Sequence, residues 1–173
     1  MIETVKDRVS ISQLMRDLNL EVVYMPEKEE YFVESEDVNR TGLPLAGYFE
    51  YFPYERIQII GKTEYTYFQN ISKKEREEVL DKFFSYEIPV LIVTRGLEVD
   101  KDIIKKAKKY QRIVLSSKSN TTRFINRLSN YLDSKLAPHV TIHGVLVDVY
   151  GIGVLIKGES SIGKSETALE LIQ

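Results

Sequence analysis

The residues of this chain that are best suited to chemistry form one run near its end. Residues 158–165 read Gly-Glu-Ser-Ser-Ile-Gly-Lys-Ser, which satisfies the pattern G-x-x-x-x-G-K-[ST]. Residues 153–157 before the run have the composition of a short apolar strand, and residues 165–172 have helical composition and spacing. Strand, loop and helix in this order are the setting in which the pattern forms a phosphate-binding loop. The sequence therefore predicts nucleotide binding here.

The residue types of the loop fit that chemistry. Glycine at 158 and 163 lets the backbone turn sharply, while successive N–H groups and the start of the helix supply donors and a positive dipole. Lys164 is expected to reach the terminal phosphates, and the Ser165 hydroxyl is expected to ligate magnesium. The alternative is a glycine-rich turn that leads into an ordinary helix. The predicted cofactor-binding residues are Gly158, Glu159, Ser160, Ser161, Ile162, Gly163, Lys164 and Ser165.

The strand before the loop is predicted to pair with the apolar segment at residues 140–149. Only a tight turn at residues 150–153 separates the two strands, so they must be antiparallel. In most nucleotide kinases a strand of a parallel sheet precedes the loop, and parallel crossovers need about a dozen residues or more. The predicted hairpin therefore indicates a different kind of phosphate-loop kinase.

Two capping signatures predict helices in the first part of the chain. The first, at Ser10, predicts a helix through Leu18, and a strand follows at residues 21–25. The second, at Ser72, predicts a helix with four apolar residues on one face. Those four residues are Val79, Leu80, Phe83 and Phe84.

A βαβ pattern follows these helices. Residues 89–94 and 112–116 are predicted strands, and residues 100–109 between them are a predicted helix. Strand, helix and strand in this order predict a parallel pair. The pattern therefore predicts a compact α/β domain.

A last helix, capped by Asn120 or Thr121, is predicted to run to about Ser134, with Pro138 marking the break after it. We place the domain boundary there. The predicted domains are an N-terminal α/β domain at residues 1–133 and the start of a second domain at residues 134–173.

Two clusters allow alternative interpretations. The aromatic segment between Gly42 and Gly61 is either a stacking or partner surface, or the core and rim of a small domain, since aromatic residues dominate burial by size. The lysines at residues 105, 106, 108 and 109 either bind an anion or are favoured by the dipole at the end of a helix.

Composition excludes several classes of function. The formal net charge is −2 over 173 residues, so no global field attracts nucleic acid or an acidic membrane. There is no cysteine, which excludes disulfides, thiol catalysis and cysteine metal sites. The first residues lack the apolar stretch of a signal peptide, and no segment has the roughly 18 apolar residues of a membrane span. We expect a cytoplasmic protein with no nucleic acid or membrane partner.

With these residues in view, the sequence resembles the HPr kinase/phosphorylase family. The motifs that carry the resemblance are residues 142–148, Ile-His-Gly-Val-Leu-Val-Asp, and residues 163–171, Gly-Lys-Ser-Glu-Thr-Ala-Leu-Glu-Leu. Weaker support comes from three segments upstream. These are residues 45–49, Leu-Ala-Gly-Tyr-Phe, residues 56–64, Arg-Ile-Gln-Ile-Ile-Gly-Lys-Thr-Glu, and residues 136–138, Leu-Ala-Pro.

The resemblance implies a bifunctional cytoplasmic enzyme that uses ATP and magnesium to phosphorylate a regulatory serine on the phosphocarrier protein HPr. It also implies the reverse reaction, in which inorganic phosphate dephosphorylates phosphoseryl-HPr and yields pyrophosphate, in carbon catabolite repression. The family is typically hexameric. Its N-terminal domain resembles that of the Mur ligases, and its kinase domain resembles phosphoenolpyruvate carboxykinase.

Carried over by position, the resemblance makes His143 and Lys164 the expected catalytic residues, although a lone histidine in a strand is usually structural. His139 has no such support. Ser161 stands where the family more often has glycine, so we expect slower or weaker binding. The chain also stops at Gln173, before the family's acidic residues, and we expect the 173-residue chain alone to be inactive. The alternative hypothesis is a catalytically inactive regulatory or oligomerisation module of the same family.

Overall fold

The computed structural model describes residues 8–27, 30–137 and 143–172. The chain divides into two compact units on either side of the 137/138 bond. The predicted break at Pro138, the predicted strand residues 140–142 and His139 lie outside the described residues. Each unit is considered by itself.

The first unit is built on a five-stranded sheet. Strands β1 (Val9–Ser10) and β3 (Phe32–Val33) form a separate antiparallel pair. The strands of the five-stranded sheet are β2 (Glu21–Tyr24), β4 (Val38–Arg40), β5 (Ile57–Ile60), β6 (Leu91–Val93) and β7 (Val114–Ser116). The order across the sheet is β2-β7-β6-β5-β4. Strands β4 to β7 are parallel and β2 is antiparallel to β7. The predicted α/β class and the predicted parallel pair β6–β7 are confirmed.

Helices connect these strands in the described part of the unit. They are α1 (Ile11–Leu18), α2 (Gly42–Leu45), α3 (Lys62–Asn70), α4 (Lys73–Ser85), α5 (Lys101–Tyr110) and α6 (Thr121–Leu136). The Ser10 hydroxyl accepts a hydrogen bond from the Gln13 N–H at 3.1 Å, and Ser72 and Glu75 form both arms of a capping box. The hydrogen bonds from Ser72 lower the pKa of Glu75. Both predicted helix starts are thereby confirmed.

Helices cover both faces of the sheet. Side chains alternate across a strand, so Ile59 of β5 packs with Phe124 and Leu128 of α6, while its neighbour Ile60 packs with Phe83 of α4 on the other face. The predicted apolar face of α4 is confirmed, with Leu80, Phe83 and Phe84 buried and Val79 partly buried.

The aromatic segment lies partly in this core. Phe49 and Phe52 are buried, and the Phe52 ring lies 5.4 Å from the Phe83 ring. Tyr51, by contrast, is 82% exposed. The core-and-rim interpretation therefore accounts for the phenylalanines, and the tyrosines form the rim.

The lysine cluster of α5 meets a carboxylate on the neighbouring helix. Lys106 and Lys109 both donate hydrogen bonds to Asp81 of α4, the second at 2.8 Å. These two ammonium groups hold the pKa of the Asp81 carboxyl well below its usual range. Two of the lysines thus stabilise the α4–α5 contact, a role that neither sequence interpretation included.

The second unit is a hairpin followed by one helix. Strands β8 (Gly144–Val149) and β9 (Ile152–Lys157) are antiparallel, as predicted, and helix α7 (Lys164–Leu171) follows the loop. Tyr150 and Gly151 form the turn with φ angles of 54° and 83°. Asp148 stabilises this turn by accepting a hydrogen bond from the Gly151 N–H at 2.7 Å. Within the described ranges of both units, no helix is long and apolar enough to cross a membrane.

Candidate phosphate-binding site

The loop at residues 158–163 joins the end of β9 to the start of α7. The predicted order of strand, loop and helix is confirmed, with the strand one residue longer at its start and the helix beginning at Lys164 instead of Ser165. The second glycine of the motif, Gly163, is the N-cap residue of α7. The sequence motif and the helix start therefore coincide.

The backbone of the loop needs its glycines for two different reasons. A Cβ atom on Gly158 would lie 3.0 Å from Ile162 Cγ2, so a side chain there is crowded by the loop itself. Gly163 has a φ of 90°, a left-handed conformation that disfavours L-residues. Ser161 also adopts a positive φ of 66° although it carries a side chain, a conformation that is unfavourable for an L-residue.

The Lys164 side chain folds back over the start of the loop. Its ammonium group donates hydrogen bonds to the carbonyl oxygens of Gly158, at 2.9 Å, and Glu159. These bonds place a positive charge at the beginning of the loop, next to the helix N-terminus. An ammonium group can also donate charge-assisted hydrogen bonds to an anion.

The N-terminus of α7 provides further donors. The first N–H groups of a helix have no intrahelical partner, and Gly163 has no side chain that could cap them. The Thr167 N–H bonds back to the Gly163 carbonyl at 3.0 Å, which makes it the first donor used within the helix. The N–H groups of Lys164, Ser165 and Glu166 are thus directed toward the loop, where the helix dipole also favours an anion.

The remaining loop side chains face solvent. Glu159, Ser160, Ser161, Ile162 and Ser165 are exposed. The exposed Ser165 hydroxyl is available as a single oxygen ligand, and no cluster of three metal-ligating side chains occurs in the described parts of the chain.

His143 lies immediately before β8 and is exposed. The prediction placed it within the strand, whereas the strand begins at Gly144. Gly144 pairs with Lys157, so the next position outward on each strand is His143 on one side and Gly158 on the other. The register therefore brings the predicted histidine to the end of the hairpin where the phosphate loop begins.

One residue with a clear local role was missed by sequence reasoning. Asp148 accepts the turn hydrogen bond from Gly151 and so sets the register of the hairpin. The signal was present in the sequence, because aspartate three residues before a turn glycine favours this type of bond.

A strand that turns through this loop into a helix defines a phosphate-loop protein. Comparison with known families is more specific. The family model described as HPr Serine kinase N terminus matches residues 9–132, and the one described as HPr Serine kinase C-terminal domain matches residues 134–173. The chain belongs to the HPr serine kinase family, and the resemblance predicted from the motifs is confirmed.

Curated relatives agree with this assignment. The HPr kinase/phosphorylase of Peptoclostridium acidaminophilum is 53% identical over 96% of this chain and 54% of its own length. That of Caldanaerobacter subterraneus subsp. tengcongensis is 55% identical over 96% of this chain and 55% of its own length. The chain thus spans about half the length of the curated relatives it matches.

A solved structure shares the fold at low sequence identity. The CBS and DRTGG domains of the regulatory region of Clostridium perfringens pyrophosphatase, complexed with diadenosine tetraphosphate, match with a TM-score of 0.52 and 18% identity. The match covers 75% of this chain and 50% of the other. At this identity the likeness concerns the fold alone.

Proposed function

We propose that the full-length protein is a bifunctional HPr kinase/phosphorylase. In one direction it phosphorylates a regulatory serine on HPr with ATP, and in the other it uses inorganic phosphate to dephosphorylate phosphoseryl-HPr, releasing pyrophosphate. The single observation that carries this proposal is the Lys164 ammonium group lying over a phosphate loop at the start of α7. Membership of the HPr serine kinase family supports the choice of HPr as substrate.

Each loop residue has a role in this proposal. The backbone of residues 158–165 binds the phosphates, Lys164 neutralises charge that develops on the transferred group, and the Ser165 hydroxyl binds magnesium. When bound, ATP supplies the phosphoryl group and magnesium neutralises phosphate charge. The ammonium group fits this purpose because it donates to the carbonyl oxygens of Gly158 and Glu159, which keeps its positive charge at the start of the loop.

His143 is the proposed second catalytic residue. The hairpin register supports this role, because residue 143 follows the pair of Gly144 with Lys157 at the end of the hairpin where the loop begins. A neutral imidazole near bound phosphates can accept the proton of an attacking hydroxyl, and a protonated one can bind phosphate oxygens.

The second unit also supports a larger kinase domain. It exposes many apolar side chains, a feature of surfaces that other elements cover. These are Leu146, Tyr150, Ile152, Leu155, Ile162, Leu169, Leu171 and Ile172. We propose that the kinase domain starts at residue 134, resembles phosphoenolpyruvate carboxykinase, and follows a Mur ligase-like domain at residues 1–133. A hexameric, cytoplasmic enzyme acting in carbon catabolite repression completes the proposal.

The test is intact-mass spectrometry of HPr after incubation with the full-length protein, ATP and magnesium. The expected result is the gain of one phosphoryl group on HPr, and its loss when phosphoseryl-HPr is incubated with inorganic phosphate instead. If HPr gains no phosphoryl group and phosphoseryl-HPr loses none, the proposal is contradicted and the inactive regulatory module is favoured. Running the 173-residue chain in parallel separates the activity of the complete protein from that of these residues.

A further inference from the structure

Gly144 is in closer contact with the opposite strand than any side chain would allow. A Cβ atom built on it would lie 2.8 Å from the Ile156 carbonyl oxygen and 2.9 Å from Leu155 Cδ1. Both distances are shorter than Cβ atoms tolerate. The leucine can rotate away, but the carbonyl oxygen belongs to the backbone of β9 and cannot. The two strands therefore approach at this point only because residue 144 is glycine.

Another glycine in the same hairpin shows that this crowding is specific. Gly153 on β9 pairs with Asp148, and a Cβ atom built on it would meet nothing within 4 Å. Neither Gly144 nor Gly153 has a positive φ. The backbone conformation at both positions thus suits alanine. The two glycines differ in the space available to a Cβ atom, which is crowded at Gly144 and open at Gly153.

The close approach occurs where the hairpin meets the phosphate loop. Gly144 pairs with Lys157, one residue before Gly158, and it directly follows His143. A side chain at 144 must push the start of β8 away from β9. Because β9 is continuous with the loop and helix α7, we expect the start of β8 to move, and His143 moves with it.

We infer that Gly144 is a positioning residue, which holds His143 beside the phosphate loop by letting the two strands meet at the loop end. The inference rests on the proposed function for the role of His143. It adds that a residue without a side chain sets the distance between the imidazole and the loop.

The first experiment compares Gly144→Ala with its matched control Gly153→Ala in the full-length protein. We expect Gly144→Ala to lower kcat for HPr phosphorylation about 10- to 100-fold, because a displacement of about 1 Å has this effect on a catalytic group. The dissociation constant for ATP should stay within about threefold of the wild type, since the loop itself is unchanged. Gly153→Ala should match the wild type in both measurements.

The second experiment locates the imidazole without using activity. The NMR signals of the His143 ring, assigned with His143→Gln, are followed during titration with ATP. A phosphate group close to the ring changes the chemical shifts of these signals, so the wild type and Gly153→Ala should show a change on adding ATP. Gly144→Ala should show a smaller change or none while it still binds ATP.

The outcomes separate the inference from the proposed function. A wild type that does not phosphorylate HPr contradicts the proposed function, while the titration still tests the placement of His143. The inference is overturned if Gly144→Ala matches Gly153→Ala both in kcat and in the ATP titration. It is also overturned if Gly144→Ala loses ATP affinity in proportion to its loss of kcat, because that result would indicate a purely structural role for Gly144. If Gly144→Ala does not fold, the titration of the wild type with ATP decides, because the absence of any ATP-induced change in the His143 signals also overturns the inference.

Discussion

The hydroxyl groups of Thr94 and Thr121 lie 2.8 Å apart in the interior of the first unit. Thr94 directly follows β6 and Thr121 begins α6, and both are buried. Thr94 also donates to the Ile60 carbonyl oxygen at 3.1 Å. The pair therefore ties α6 to the carboxyl ends of two neighbouring strands.

Gly61 completes this contact and provides a test of it. A Cβ atom on Gly61 would lie 2.8 Å from the Thr121 Oγ1 atom and 2.9 Å from Glu64 Oε2. We expect Gly61→Ala to lower the free energy of unfolding by about 1–3 kcal/mol, because the buried threonine and glutamate would have to shift. The denaturant midpoint measures the change.

Gly42→Ala is the matched control for that substitution. The nearest atom to a Cβ at Gly42 is Glu64 Cγ at 3.8 Å, an ordinary contact. Its midpoint should stay close to that of the wild type. Equal midpoints for the two variants would mean that the contact between Gly61 and Thr121 is not tight.

Asp81 makes stability depend on pH. Its pKa is lower in the folded protein than its ordinary value because Lys106 and Lys109 donate hydrogen bonds to the carboxylate. The stabilisation is therefore fully present above about pH 4, the ordinary pKa, and is lost as the pH falls toward the folded pKa. We expect Asp81→Asn to lower the free energy of unfolding at pH 7 by about 0.5–1 kcal/mol, since the pair is partly exposed. This difference should shrink below about pH 4.

Thermal unfolding at several pH values measures this effect, with Glu78→Gln as the control on the same helix. Glu78 is exposed and its contact with Lys74 is 3.9 Å long. The thermal stability of Glu78→Gln should equal that of the wild type at every pH. A difference between Asp81→Asn and the wild type that does not shrink between pH 4 and pH 2 would show that the carboxylate charge is not responsible.

Ser161 is expected to weaken nucleotide binding through its backbone. Its φ of 66° costs an L-residue about 1 kcal/mol that glycine does not pay. Ser161→Gly should therefore bind ATP up to about fivefold more tightly, as measured by isothermal titration calorimetry. Ser160 has no positive φ, so Ser160→Gly should weaken binding by adding flexibility. Tighter ATP binding in both variants would argue that the positive φ of Ser161 is not the cause of weaker binding.

Lys164→Ala is expected to abolish phosphoryl transfer in the full-length protein while the fold stays intact. The reason is that its ammonium group is the positive charge placed over the loop. A loss of about 100-fold or more is expected for a group that stabilises developing charge. Transfer to HPr is followed by mass spectrometry and folding by circular dichroism. Lys157→Ala, an exposed lysine just before the loop, is the control, and activity retained in Lys164→Ala would refute the proposed role.

Local signals allowed much of the fold to be predicted. Ser10 and Ser72 cap the helices that their spacing indicated, and the apolar run at β6 forms a buried strand. Strand β5 was missed because Gln58 interrupts its apolar residues. That side chain is buried and donates to the carbonyl oxygens of Pro53 and Arg56, contacts that depend on the fold. Strand β4 was also missed, because it has only three residues, lies at a sheet edge and shows no alternation of apolar and polar residues.

The candidate site shows the same division. The phosphate loop could be predicted because its strand, glycines, lysine and helix are adjacent in sequence. The neighbourhood of His143 and Gly158 depends on hairpin register, which the turn sets through Asp148. The close approach of Gly144 to the Ile156 carbonyl oxygen depends on atomic packing, for which a single sequence carries no signal.

The pairing of β2 with β7 imposes an order on the folding of the first unit. Strands β4, β5 and β6 each lie beside the next strand of the chain, so this part of the sheet can grow in the direction of synthesis. Strand β2 is made before them, yet Val22 pairs with Leu115 and must wait until β7 exists. Closing so long a loop costs entropy and slows folding. The earliest strand of the sheet therefore cannot be incorporated before the latest one has been made.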